Sequence, residues 1–184
     1  LKTTTDVISQ LKKHSADIIL ADYVQEEIAD VLFVSIPVPE RYSLMDRCME
    51  REQEHMYRQP CDIGYPRVRE VLAELSKKHR LFIVSNGQKG YPQLAARKLG
   101  VDHLISGYLS YGDTGTEKGE TIRILMKDHN ITDAVYVGDT QGDYEATLVA
   151  GIPFVWAAYG FGNPAGFDAR IDNMRQLPQV LKEL

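Results

Sequence analysis

From Pro66 onward, apolar and polar positions follow two alternating periods. PRVREVLAELSKKH places Val68, Val71, Leu72 and Leu75 on one helical face, and Pro66 suits the first turn of that predicted helix. RLFIVSN is a short apolar run of strand length. GYPQLAARKLG reads as a helix that Gly100 can end, and HLISGYLS as a weaker strand. KGETIRILMKDHN is a helix with Ile122, Leu125 and Met126 on one side. AVYVGD is a strand, DYEATLVAG a helix closed by glycine, and IPFVWAAY a strand. Strands alternating with helices of about ten residues predict βαβ units, an α/β fold with a parallel sheet in a Rossmann-like core.

Residues 1–60 have another texture. Val7, Ile8 and Leu11 share one helical face, and Ile18, Ile19, Tyr23, Ile28, Val31 and Leu32 suggest a second apolar stripe. Pro37 and Pro39 interrupt it. RYSLMDRCMEREQEHMYRQP is then densely charged, with an apolar residue every three or four positions. The plain reading is a solvated helix face; the sharper one is that Arg47, Arg51 or Arg58 touches an acidic substrate. The expected organisation is a small helical domain over residues 1–60 and a Rossmann-like core over 61–184.

Composition limits the function classes. The chain has 184 residues, 43% of them hydrophobic, enough for a sizeable core. A net charge of −5 argues against bulk attraction to nucleic acid or anionic membrane, and leaves room for one local anion pocket. Cys48 and Cys61 form neither a CxxC pair nor a disulfide framework, so a reducing cytoplasm is the expected setting. The histidines show no zinc spacing, no run approaches a membrane span, and the first residues are not a signal peptide.

Ligands of open parallel sheets bind beyond the carboxyl ends of the strands, so the residues that follow each strand run are candidates for chemistry. Asp139 ends the VYVG run and Asp143 lies one turn into the next helix, so both can face one point. Asp139 could simply cap that helix, with Asp143 a first-turn acid favoured by the dipole. Alternatively, the pair awaits a hard divalent cation that keeps several waters, as Mg²⁺ does. Ser85, Asn86 and Gly87 read either as a turn or as a hydroxyl and backbone N–H groups around an anion. Lys118 stands at a helix start, where the dipole disfavours a cation. It is either a solvated lysine or one that holds a phosphate or carboxylate. GDTGTEKG lacks the glycine before Lys118 and the Ser/Thr after it that a P-loop needs, and Pro164 interrupts GFGNPA as a dinucleotide fingerprint.

LFIVSNG, Lys118 in TEKGE and VYVGDTQGD, in that order, resemble motifs II, III and IV of the haloacid dehalogenase superfamily, over roughly residues 61–165. YVGDTQGDYEATLVAGIPFVWAAYGFG is most similar to the phosphoglycolate phosphatase-like branch, in which residues 1–60 stand where a helical cap is inserted. The resemblance implies that Ser85, with Asn86 and Gly87, hydrogen-bonds a transferring phosphoryl group. Lys118 would offset its negative charge, Asp139 would bind Mg²⁺, and Asp143 would bind or orient that metal's water shell. A cation and a lysine reverse the local sign that two carboxylates would otherwise present to an anionic ester. The implied activity is Mg²⁺-dependent hydrolysis of a small phosphate monoester such as phosphoglycolate. The alternatives are a catalytically inactive binding protein and a phosphomutase; a dehalogenase, which needs no metal, is disfavoured. Specificity would lie in the cap, and neither substrate identity nor oligomeric state is legible.

The sequence departs from the family at the first motif, DxDGT, whose first Asp is the nucleophile and whose second is the general acid and base. No DxDGT occurs. Asp22 in DIILADYV follows an apolar run, but Val24 stands where the second Asp belongs. By resemblance, the motif I strand would lie between the strand ending in Ser85 and the strand ending in Asp139. Strands sit about 4.8 Å apart, so its omission leaves a slot lined by backbone groups that cost about 1–3 kcal/mol each when buried unpaired. The expectation is that a sheet so broken would not fold alone, so that the chain is incomplete at its N-terminus, with the nucleophile encoded upstream of residue 1 and no activity without it; the alternative is a pseudoenzyme in which another segment fills the gap.

Overall fold

The computed structural model describes residues 33–184. The chain divides into two compact units, Leu1–Gln59 and Pro60–Leu184. The apolar stripes at Val7–Leu11 and Ile18–Leu32, and Asp22, lie outside the described residues. In the first unit, the charged run is a single helix, α1 (Val38–Arg58), most of whose side chains are exposed. The two prolines begin this helix rather than break it. Pro37 is the N-cap and Pro39 sits in the first turn, where a missing N–H removes no helical hydrogen bond. Arg41 ties that turn to the preceding segment by donating to the carbonyls of Ile36 at 2.6 Å and Val34 at 2.8 Å.

The second unit is α/β with parallel strands. In order, it contains α2 (Val68–Leu75), β1 (Leu81–Ser85), α3 (Tyr91–Leu99), β2 (Ile105–Ser110), a single turn α4 (Tyr111–Thr114) and α5 (Lys118–Asp128). There follow β3 (Tyr136–Gly138), α6 (Gln141–Ala150), β4 (Phe154–Ala157), β5 (Ala169–Ile171) and α7 (Leu177–Val180). Two elements differ from expectation. Helix α2 starts after Arg67, whose φ of 69° is left-handed, so Pro66 lies outside the first turn. Strand β5 has no counterpart in the sequence reading.

Strand β4 shows why the sheet has helices on both faces. All four of its residues are buried, as in a parallel strand covered on each side. Val155 and Ala157 face a cluster formed with Val71 and Leu75 of α2, Ile171 of β5, and Met174 and Leu177. Phe154 points the other way, its ring 5.9 Å from that of Tyr144 on α6. Burying a side chain such as Phe154 or Val155 contributes about 1.5–3 kcal/mol.

The strands form two separate parallel sheets: β1 with β2, in register from Phe82–Gly107 to Ser85–Ser110, and β3–β4–β5, in which Gly138 pairs with Trp156. Among the described residues no strand joins β1 to β3. The break falls where the sequence lacks its expected central strand. Among the described residues, the Tyr136 side chain crosses it: its hydroxyl lies 3.4 Å from the carbonyl oxygen of Val84.

Candidate active site

Ser85 and Asp139 lie at the carboxyl ends of β1 and β3, while Lys118 and Asp143 stand in the first turns of α5 and α6, and Arg47, Arg51 and Arg58 lie on α1 of the other unit. Ser85 closes β1. Its Oγ accepts the Gly87 N–H at 2.9 Å, so the Ser85–Gly87 turn is fixed by its own hydroxyl. The Gly87 carbonyl in turn accepts the Gly112 N–H at 3.2 Å. Gly112 is obligatory here, because a Cβ would lie 2.2 Å from the Lys89 nitrogen. The loop after β1 is thus braced against α4, the turn that follows β2, and Asn86 is left exposed.

The Lys118 misfit at the start of α5 has a physical account. Its ammonium does not rest on the helix end; it reaches across to Asp143, with Nζ 2.6 Å from Oδ1. The pair is shielded, with side-chain exposures of 15% and 7%. Two glycines permit it. A Cβ on Gly119 would meet Val149 of α6 at 2.6 Å, so α5 and α6 approach closely; one on Gly138 would strike the Asp143 carboxyl carbon at 2.7 Å. Thr121, fully buried, joins Thr114 and Thr116 in a hydroxyl network that fixes the turn before Lys118.

Asp143 is heavily engaged. Its Oδ2 accepts the N–H groups of Asp139 and Thr140 and the Thr140 hydroxyl, at 2.8–3.1 Å. Its Oδ1 faces Lys118 and, at 3.3 Å, the Tyr136 hydroxyl. That hydroxyl has one hydrogen and two acceptors, Asp143 and the Val84 carbonyl, so it links the Asp143 carboxylate to the residue preceding Ser85. Burial by itself would raise the Asp143 pKa. The Lys118 ammonium, with hydrogen bonds from Lys118 and Thr140, outweighs burial and holds the carboxyl below its ordinary range. Burial, followed by the Asp143 charge, pushes the Tyr136 phenol far above its own.

The cap of α6 is Thr140, not Asp139. Thr140 Oγ1 accepts the Asp143 N–H at 3.1 Å, and Asp143 returns a bond to the Thr140 N–H, completing a capping box. Asp139 is thereby released from helix capping. Its Oδ2 accepts the Phe161 N–H at 2.7 Å, and its Oδ1 takes no hydrogen bond from any described residue. Sequence reasoning missed Tyr136 and Thr140. TQGD does carry the capping-box spacing, and a tyrosine inside an apolar strand run has a polar tip that needs a partner.

The haloacid dehalogenase-like hydrolase family matches residues 4–157, most of the chain. The chain belongs to this family. A protein from Haemophilus somnus 129PT, described as a predicted phosphoglycolate phosphatase, shares the fold with a TM-score of 0.67 and 21% identity, over 85% of this chain and 75% of that one. A HAD-superfamily hydrolase of subfamily IA from Geobacter sulfurreducens PCA aligns with a TM-score of 0.63 and 22% identity, over 89% and 75%. A HAD-hydrolase from Bacillus subtilis, crystallised with magnesium, aligns with a TM-score of 0.69 and 15% identity, over 99% and 85%. A search of curated proteins found no match.

The residues of this haloacid dehalogenase-like hydrolase suit a sparsely ligated Mg²⁺. No group of three or more His, Cys, Asp or Glu residues that could hold a metal occurs among the described residues. Mg²⁺ needs no such cage, because it commonly takes one or two carboxylates and completes its octahedron with water and phosphate oxygens. Asp139, with one oxygen fixed by the Phe161 N–H and one that takes no hydrogen bond from any described residue, fits such a direct ligand. Asp143, already accepting from several donors, fits a role in orienting the water shell. No described helix is long and apolar enough to cross a membrane. Cys48 and Cys61 are free and exposed.

Proposed function

We propose that this hydrolase handles small phosphate monoesters with Mg²⁺, as a phosphatase site of which this chain supplies the metal and phosphoryl-binding parts. The observation that carries the reading is the chain of contacts from Lys118 through Asp143 and Tyr136 to Val84. In support of the reading, these contacts join Lys118, the Asp143 carboxylate and the strand that ends in Ser85. In this reading, Mg²⁺ would supply charge neutralisation between Asp139 and a phosphoryl oxygen. Asp139, whose Oδ1 takes no hydrogen bond from any described residue, would hold the ion. Lys118, oriented by Asp143, presents positive charge to the phosphoryl group, and the Ser85 hydroxyl, its Oγ held by the Gly87 N–H, donates its own hydrogen to the remaining oxygens beside the Asn86 amide.

Hydrolysis through an aspartyl-phosphate also needs a nucleophile, and the sequence contains no DxDGT. That absence favours one second reading: a site that binds phosphate esters without turning them over. Both readings require Mg²⁺-dependent binding of phosphate. Calorimetric titration with inorganic phosphate should show at least a tenfold gain in affinity when Mg²⁺ is added, equivalent to about 1.4 kcal/mol, which a single charge-assisted contact supplies. Affinity that is absent or indifferent to Mg²⁺ would remove both. If binding holds, the complete gene product separates them: an encoded DxDGT with turnover of p-nitrophenyl phosphate supports the phosphatase, and binding without that motif and without turnover supports the second reading.

Gly160 offers an independent check on the metal ligand. A Cβ there would lie 2.3 Å from the Asp139 carboxylate. Gly160→Ala should displace that carboxylate and weaken Mg²⁺ binding by about 10–100-fold, as loss of a supporting contact does at metal sites. Unchanged Mg²⁺ affinity would take Asp139 out of the metal site.

A further inference from the structure

The loop after β4 is pressed onto Asp139 more tightly than side chains allow. A Cβ on Gly160 would strike the Asp139 carboxylate, and one on Gly162 would lie 2.4 Å from the Asp139 carbonyl oxygen. Between these two glycines stands Phe161. Its backbone N–H is held by Asp139, while its ring is 93% exposed, the most exposed of the large hydrophobic residues described. The loop itself gives no reason for a ring there. Any residue except proline supplies that N–H, and an isolated phenyl group in water is unfavourable. On the other side of Gly160, Tyr159 meets Tyr65 edge to face, with ring centroids 4.8 Å apart. The Asp139 charge acts on the Tyr159 phenol, whose pKa is raised first by burial, then by Tyr65 and then by Asp139.

We propose that Phe161, with Tyr159 and Tyr65, forms an aromatic rim beside the phosphoryl site and selects monoesters whose alcohol portion is apolar and planar. This rests on the phosphate-binding reading and deepens it by naming a substrate class. Rings bind flat apolar groups by offset or edge-on stacking, with little loss of side-chain freedom. The loop AYGFGNPAGF, residues 158–167, carries no charged residue, so it offers no cation to a substrate carboxylate. The rim therefore favours an aryl phosphate over a small acidic ester such as phosphoglycolate.

The test is competitive binding in the presence of Mg²⁺, with inorganic phosphate, methyl phosphate and phenyl phosphate as probes. Phenyl phosphate should bind about tenfold more tightly than methyl phosphate, and Phe161→Ala should bring the two within about twofold of each other. Because the Phe161 side chain is almost wholly in solvent, the variant keeps its fold and its backbone bond to Asp139. Equal affinities in the unaltered protein would overturn the rim, as would a preference that survives Phe161→Ala. If none of the three probes binds, the phosphate-binding reading itself fails and the rim fails with it; that outcome is distinct from equal binding of all three.

Discussion

Asp139→Asn should abolish measurable Mg²⁺ binding, with affinity lower by at least about 100-fold, the upper end of what losing a mere supporting residue costs. The argument rests on where its two oxygens are used. Oδ2 is held by the Phe161 N–H, and Oδ1 meets no donor among the described residues. An asparagine could keep a carbonyl oxygen on Phe161 only by turning its NH₂ group to the ion, and a turned amide would lose the Phe161 bond. Either way, one negative charge is gone from a site with few other ligands. The fold should survive, because Thr140 rather than Asp139 caps α6. Calorimetry with Mg²⁺ alone measures the loss, and circular dichroism checks the fold. Retained Mg²⁺ affinity would mean that the ion sits elsewhere.

That contrast between Asp139 and Thr140 illustrates how far the residues could be read before the fold was known. GDTQGD announces two acids one turn apart, but spacing cannot say which acid is free. The answer depends on a third residue, Thr140, taking the cap, and on a loop some twenty residues later approaching Asp139 through Gly160 and Gly162. Strands and helices with strong periodicity, such as LFIVS and KGETIRILMKD, were legible because burial selects their pattern. β5 was not. It is three residues long, ARI, with no apolar run; its place comes from pairing with β4 and from the bonds Asp168 makes to Phe154. The start of α2 turned on a left-handed Arg67, a backbone choice that an arginine's composition does not advertise. The break between β1 and β3 was legible only as something missing. Tyr136, the one described residue seen to bridge it, had read as another apolar strand position.

Lys118→Met should cost roughly 3–5 kcal/mol of stability, the range for removing one partner of a buried ion pair. The methionine fills much of the lysine's volume, so the loss reports charge rather than a cavity. What it leaves behind is an ionised Asp143 with 7% side-chain exposure and no ammonium opposite. Burial, the largest influence on that carboxyl, is then opposed only by the hydrogen bonds around it. The pH dependence of the loss separates this cause from simple mispacking. In the unaltered protein the Asp143 pKa is depressed, so its stabilisation is present above the ordinary aspartate value of about 4 and fades as pH falls through the lower folded value. In the variant the same carboxyl is costly when ionised, and protonation relieves it. The difference between the two proteins should therefore be complete near neutral pH and should shrink below about pH 4. Urea unfolding followed by the single tryptophan, Trp156, which pairs with Gly138 next to the site, gives both numbers. Adding Asp143→Asn should restore a large part of the loss, since it removes the stranded charge. A deficit below about 1 kcal/mol would place the pair among ordinary surface ion pairs. One unchanged at acid pH, or unrelieved by the second substitution, would make packing the cause.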